Sequence, residues 1–214
     1  MTAIPVVIVS TNALIRGGIQ QIIVQPETRI DVTGMFASFS ELNAFLKDHQ
    51  ARVFIMDDSL PKGVNLSKEL KRLIEAHPGL AVILILQRPT PSLVQKVLAI
   101  GVRAILHKDD DFQRTLNQAI QLAVAGGVTI SPRVSHLLEK QQALPENLDQ
   151  RDVDVFDLLT EGLQPKEIAM YLGVERKAVY RSIKKLTTVY DAQNLPQLVI
   201  LAQQHKIRPL KKRE

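Results

Sequence analysis

The side chains best equipped for molecular recognition lie late in the chain. Arg176, Lys177, Arg181, Lys184 and Lys185 cluster with Tyr180 in a segment of helical periodicity. A guanidinium is a rigid fork of donors that can pair bidentately with the major-groove edge of guanine. Such a pair discriminates against other bases by about 1–3 kcal/mol, which makes Arg181 the candidate base reader. Lys177, Lys184 and Lys185 are candidates for phosphate contacts, adding affinity and salt dependence but little sequence choice. The basic tail from Arg208 through Arg213 reads as a flexible, solubilising segment.

Enzymatic chemistry finds little support. The chain has no Cys, which removes disulfides, thiolate metal sites and a cysteine nucleophile. His49, His77, His107, His136 and His205 are scattered, without metal-ligand spacing. No Gly-rich phosphate loop or Ser-His-Asp arrangement is visible, so no catalytic residue, metal or cofactor is expected. No apolar run approaches the roughly 18 residues of a membrane span, and the N-terminus lacks a secretory pattern. A cytoplasmic protein without membrane contact is expected. The formal charge of +5 permits a polyanionic partner.

Residues 1–125 alternate short apolar runs with helical patterns. Val6–Val9, Ile30–Met35, Arg52–Met56, Ala81–Leu86 and Ala104–Leu106 read as strands, several of them continuous apolar runs of the kind buried on both faces. Each precedes a stretch of helical spacing, beginning with Leu14, Ile15, Ile19, Ile22 and Ile23. Five such repeats predict an α/β doubly wound, five-stranded parallel sheet. Gly126-Gly127 ends the pattern. A linker over 126–146, with Pro132, Pro145 and a short helix near Arg133–Gln141, leads into an all-α domain over 147–208 and a basic tail over 209–214.

In that second domain Asp149 is a good N-cap, and Asp152 suits a capping box at the positive end of the first helix. Val155, Phe156, Leu158 and Leu159 supply the buried face of that helix, which Gly162 ends. Pro165 opens a short second helix, Gly173 supplies a sharp turn, and a third helix runs from Glu175 to about Val189. Val179, Ile183, Leu186 and Tyr190 form its apolar stripe. Two helices about a Gly-containing turn make a helix-turn-helix, and the basic face lies on the second, where side chains enter a major groove.

Residues 148–200 resemble the LuxR/FixJ-type DNA-binding domain that closes NarL-family response regulators. The resemblance rests on Leu148-Asp149-Gln150-Arg151-Asp152, on Gly162 through Leu172 (GLQPKEIAMYL), and on Ala178-Val179-Tyr180-Arg181-Ser182. The family's base contacts fall on Tyr180, Arg181 and Lys184. Tyr180 stands for the usual Lys and Ser182 for the usual His, which implies an unusual operator.

Residues 1–125 resemble the receiver domain of the same family. Asp57-Asp58-Ser59-Leu60-Pro61 matches the D-x-x-x-P loop and puts Asp57 at the phosphoacceptor position, and Lys108 matches the receiver's switch lysine. Arg16 and Gly18 match as well. The family's acidic pair, however, is replaced by Ser10-Thr11, its switch Thr/Ser by Leu86 and its switch aromatic by Ile105. A hard dication needs carboxylates to offset lost hydration, and without it phosphoryl transfer loses its main neutralising charge. The resemblance implies a CheY-like but degenerate receiver, not phosphorylated at Asp57, in which Asp57 and Lys108 persist as a structural ion pair.

The expectation is a regulator of double-stranded DNA that acts as a homodimer and independently of phosphorylation. Its dimer contacts are expected from residues 92–125, and its recognition helix is expected to be free of the receiver already or to be released by dimerisation. The alternatives are an auxiliary protein that pairs with a partner regulator and a pseudo-receiver that answers to a small-molecule ligand. The family's Trp-containing cyclic-di-GMP motif is missing, since the chain has no Trp.

Overall fold

A computed structural model describes residues 3–59, 64–139 and 148–204. Leu60 and Pro61 of the acceptor loop, Pro145 and the tail from Arg208 to Arg213 lie outside them.

The first unit runs β1 (Ile4–Val9), α1 (Ala13–Ile23), β2 (Ile30–Phe36), α2 (Phe39–Phe45), β3 (Val53–Asp57), α3 (Leu66–Ala76), β4 (Ala81–Leu86), α4 (Pro91–Ile100), β5 (Ala104–His107) and α5 (Phe112–Val124). Side-chain caps set several helix starts. Asn12, Asn65 and Thr90 each accept a bond from a first-turn amide, and Pro91 follows Thr90 where a missing N–H costs nothing.

The sheet has six parallel strands in the order β2-β1-β3-β4-β5-β6, not the five expected. The addition, β6 (Thr129–Ile130), lies directly after Gly126-Gly127 in the stretch read as linker. Thr129 N bonds Arg103 O at 2.9 Å and Ser131 N bonds Ile105 O at 3.0 Å. Two residues carry no usable periodicity, so only this pairing defines the strand. Helix α6 (Pro132–Glu139) follows and buries Val134 in the core below α4.

The two-residue period of the strands sorts the core into two layers. Val7, Phe54, Met56, Leu84, Leu86 and Ile105 face α2, α3 and α4. Val6, Ile8, Ile55, Ile83, Ile85 and Leu106 face α1 and α5. Strand order 2-1-3-4-5 makes the gap between β1 and β3 the topological switch point, where ligands bind at the carboxyl ends of the strands. Ser10 and Asp57 stand there.

The second unit is helical: α7 (Gln150–Thr160), α8 (Pro165–Leu172), α9 (Arg176–Val189) and α10 (Leu195–Gln204). Asp149 and Asp152 form the reciprocal capping box of α7, both bonds at 3.0 Å. Val155, Phe156, Leu159, Ile168, Val179 and Leu186 make its core. Among the described residues no helix is long and apolar enough to cross a membrane.

Candidate functional site

The residues singled out in the sequence gather in two places: the switch-point end of the sheet and the outer face of α9.

At the switch point, Asp57 ends β3 and is 5% exposed. Burial pushes its carboxyl up and the charge of Asp58 adds to this, while hydrogen bonds from Ser59 and Ser10 oppose it. Its Oδ1 has no hydrogen-bond partner among the described residues. The expected Asp57–Lys108 ion pair is not made. Lys108 Nζ lies 3.9 Å from Asp109 Oδ1 instead, because the turn after β5 offers a carboxylate already in solvent. The other polar groups here are engaged locally. Ser10 Oγ accepts from Asn12 N at 3.1 Å, Thr11 Oγ1 donates to Ser59 O at 3.1 Å, and Arg16 donates to Ser10 O. Leu86 and Ile105 are fully buried in the layer facing α3 and α4. This donor set does not suit Mg²⁺. Two hydroxyls stand where carboxylates would be needed, a guanidinium sits on the adjacent carbonyl, and the second nearby carboxylate turns elsewhere.

That second carboxylate, Asp58, was read only as a neighbour of Asp57. Its Oδ2 accepts from Gln87 N at 2.9 Å and Arg88 N at 3.3 Å. The Tyr171 hydroxyl of α8 lies 3.0 Å from the same oxygen and 2.6 Å from Arg88 O, its single proton shared between the two acceptors. Burial, together with the charge of Asp58, pushes the Tyr171 phenol well up. Arg88 Nε pairs with Glu161 Oε2 at 2.7 Å.

Two helix ends complete this contact between the units. The Ser92 hydroxyl, in the first turn of α4, donates to Asp154 of α7, so a carboxylate sits at the positive end of α4. Lys96 Nζ reaches Leu172 O at 3.2 Å and Gly173 O at 3.4 Å, a cation at the negative end of α8. Desolvation lowers the Lys96 ammonium. Gly173 has φ +63°, and a Cβ there would lie 2.9 Å from Lys96 Nζ and 3.0 Å from the Asn65 side chain. The left-handed backbone favours glycine here, and a Cβ would press on the side-chain ends of Lys96 and Asn65.

This contact alters the expected dimer surface over 92–125. Ser92 and Lys96 of α4 are occupied by α7 and α8, and β6 covers the outer edge of β5.

Helix α9 keeps its outer face clear of the first unit. Lys177, Arg181 and Lys184 are exposed and form no ion pair among the described residues, and Tyr180 is 57% exposed. Lys185 differs from the expectation of a simple phosphate contact. Its Nζ lies 2.9 Å from Asp152 Oδ2 and 3.4 Å from Asp149 Oδ2, tying α9 to the start of α7. Burial alone would raise the Asp152 carboxyl, but hydrogen bonds from Lys185, Ser182 and the Asp149 amide hold it below its ordinary value. Ser182 is buried beneath the helix rather than presented to a groove.

The docking residues Asp58, Arg88, Ser92, Lys96, Asp154, Glu161 and Tyr171 carry no local pattern that marks them in the sequence. The acidic run from Glu146 to Glu161 against basic α9 was the nearest signal, and it points to Lys185 rather than to the first unit.

No protein-family model matches the chain. It is similar to transcriptional regulatory protein UhpA of Escherichia coli K12, 28% identical over 180 residues that cover 83% of this chain and 86% of that protein. Transcriptional regulatory protein DegU of Brevibacillus brevis is 24% identical over 220 residues, covering 92% of each. Among solved structures, the RcsB response regulator of Salmonella typhimurium superposes with a TM-score of 0.65 at 26% identity, over 95% of this chain and 98% of that one. A structure of two RcsB dimers bound to two parallel DNAs gives 0.58 at 25% identity, over 94% and 99%.

Proposed function

From a chain whose homologues are NarL/FixJ-type response regulators, transcriptional regulators rather than enzymes, we propose a sequence-specific regulator of double-stranded DNA that works as a homodimer and without phosphorylation. In this reading α8, the Gly173 turn and α9 are its helix-turn-helix. Arg181 and Tyr180 read base edges, and Lys177 and Lys184 meet phosphates. Lys185 holds the reading helix at a fixed roll against α7 and contributes little to phosphate binding.

One observation carries the proposal: the units dock through α7 and α8, and the basic face of α9 stays open. A receiver that had to release this helix would cover it, whereas here DNA can be met with the units still docked. The hydroxyls at Ser10 and Thr11 and the aliphatic side chains at Leu86 and Ile105 support the absence of a phosphoryl switch. The DNA-bound dimers of the solved relative support dimeric binding.

The test is footprinting of DNA upstream of the protein's own gene at two salt concentrations, with and without acetyl phosphate and Mg²⁺, beside an Asp57→Ala variant. The expected result is one protected site, indifferent to phosphodonor and to the substitution. Protection that requires acetyl phosphate and disappears in the variant overturns the reading.

A further inference from the structure

A cavity of about 330 Å³ opens between α1 and α5 above Asp57. Its volume lies at the lower end of the range for small-molecule sites, and its walls are mostly apolar, as such sites are. Ile15, Ile19 and Ile22 come from α1, Ile85 from β4 and Phe112 from α5. Asp57, 5% exposed, is among the lining residues, and its Oδ1 lacks a partner among the described residues. A buried acceptor without a donor is unfavourable, so the cavity gains from an occupant that brings one.

The electrostatics narrow the choice. Asp57 and Asp58 both line the cavity, while Lys108, the cation lining it among the described residues, stands beside Asp109. An anion is repelled here and a neutral donor is tolerated. A cationic nitrogen is favoured, since a charge-assisted bond to a carboxylate is roughly twice as strong as a neutral one. Resting on the reading that Asp57 is not phosphorylated, we propose that this cavity is a binding site for a compact apolar amine whose ammonium group pairs with the Asp57 carboxylate. An occupant would also lie against Asp58, whose Oδ2 accepts from Gln87 N, Arg88 N and the Tyr171 hydroxyl of the helical unit, so the site adjoins the contact between the two units.

The experiment follows the isoleucine methyl NMR signals of the full chain, without DNA, Mg²⁺ or phosphodonor, during titration with cyclohexylmethylamine. Cyclohexylmethanol and cyclohexanecarboxylate serve as matched neutral and anionic probes. Ile15, Ile19, Ile22 and Ile85 are expected to shift together. The amine should bind about tenfold more tightly than the alcohol, and the carboxylate should not bind. Asp57→Asn, which keeps the volume, should bring amine and alcohol to similar affinity. In Gly18→Leu the new Cβ meets no atom within 4 Å and the side chain occupies cavity space, so both should bind more weakly. The methyl spectrum reports folding in each variant, and Gly18→Leu carries the test if Asp57→Asn does not fold. The proposal is overturned by the absence of shifts at millimolar amine, by equal binding of amine and alcohol, or by a preference that survives Asp57→Asn. Such a result leaves phosphorylation independence intact. Phosphodonor-dependent footprints, conversely, overturn that reading without altering these shifts.

Discussion

The switch-point end of the sheet and the outer face of α9 stand in opposite conditions. At the switch point nearly every polar group is satisfied by a neighbour: Ser10 by Asn12, Thr11 by Ser59, Arg16 by Ser10, Asp58 by Gln87, Arg88 and Tyr171. Among the described residues there, Asp57 Oδ1 is left over, and it is buried. On α9, Lys177, Arg181 and Lys184 reach solvent without an ion pair, while Lys185 alone is held. Polar groups already bonded within the chain stabilise architecture, whereas cations left in water are available to a polyanion. In the proposed reading DNA is met by the helical unit, while the end of the sheet, where the topology favours ligands, keeps the cavity beside Asp57.

That contrast can be broken most severely at its one exception. Asp152→Ala removes half of the α7 capping box and the carboxylate beneath Lys185. It is expected to destabilise the helical unit by about 2 kcal/mol in urea titrations, while the sheet unit keeps its transition. A variant as stable as the parent would mean that Lys185 is free for DNA after all.

Next in size, Arg181→Ala should lose about 1–3 kcal/mol of binding to the preferred operator and little to scrambled DNA, measured by fluorescence anisotropy at fixed salt. Equal losses on both would make Arg181 a phosphate contact and return base reading to Tyr180.

A third test concerns the acidic face of α7 that carries Asp154 and Glu161. Burial, with the charges of Asp154 and Glu161 adding, pushes the Asp157 carboxyl up from 3.8 to about 7. The folded chain therefore holds a proton that the unfolded chain releases near 3.8, and stability falls as pH rises between these values. Asp157→Asn should gain on the order of 2 kcal/mol at pH 8 and nothing at pH 4, read from denaturant midpoints. An equal gain at both values would exclude charge as the cause.

The smallest effect is expected from Lys184→Ala. It should weaken binding uniformly across DNA sequences and lower the slope of log affinity against log salt by about one. An unchanged slope would place Lys184 outside the contact.

The legibility of these features follows their range along the chain. Val82–Leu86 and Val6–Val9 announce buried parallel strands because their environment is apolar on both faces, and the helical stripe through Val179, Ile183 and Leu186 is equally local. The capping box of Asp149 and Asp152 spans one turn and could be read directly. The sixth strand was not legible, because Thr129–Ile130 is too short to show a period. Lys185 resembled its basic neighbours, since its partner lies 33 positions earlier. The seam was hidden most completely. Asp58 and Tyr171 are 113 positions apart, and each is ordinary in its own segment. Asp57 and Lys108 were matched by position, yet their pairing depended on a competing carboxylate at Asp109 that the matching did not weigh.

The grip of Lys96 on the Leu172 and Gly173 carbonyls acts at the turn just before α9. The helix proposed to read DNA is thereby clamped to the sheet unit and does not swing on a tether. A dimer of such protomers, as proposed, would act as a caliper, its jaws expected one helical turn, about 34–36 Å, apart or at a multiple of that. An operator with one base pair inserted between its half-sites rotates the second site out of reach, so spacing becomes as much a part of the recognised message as the bases themselves.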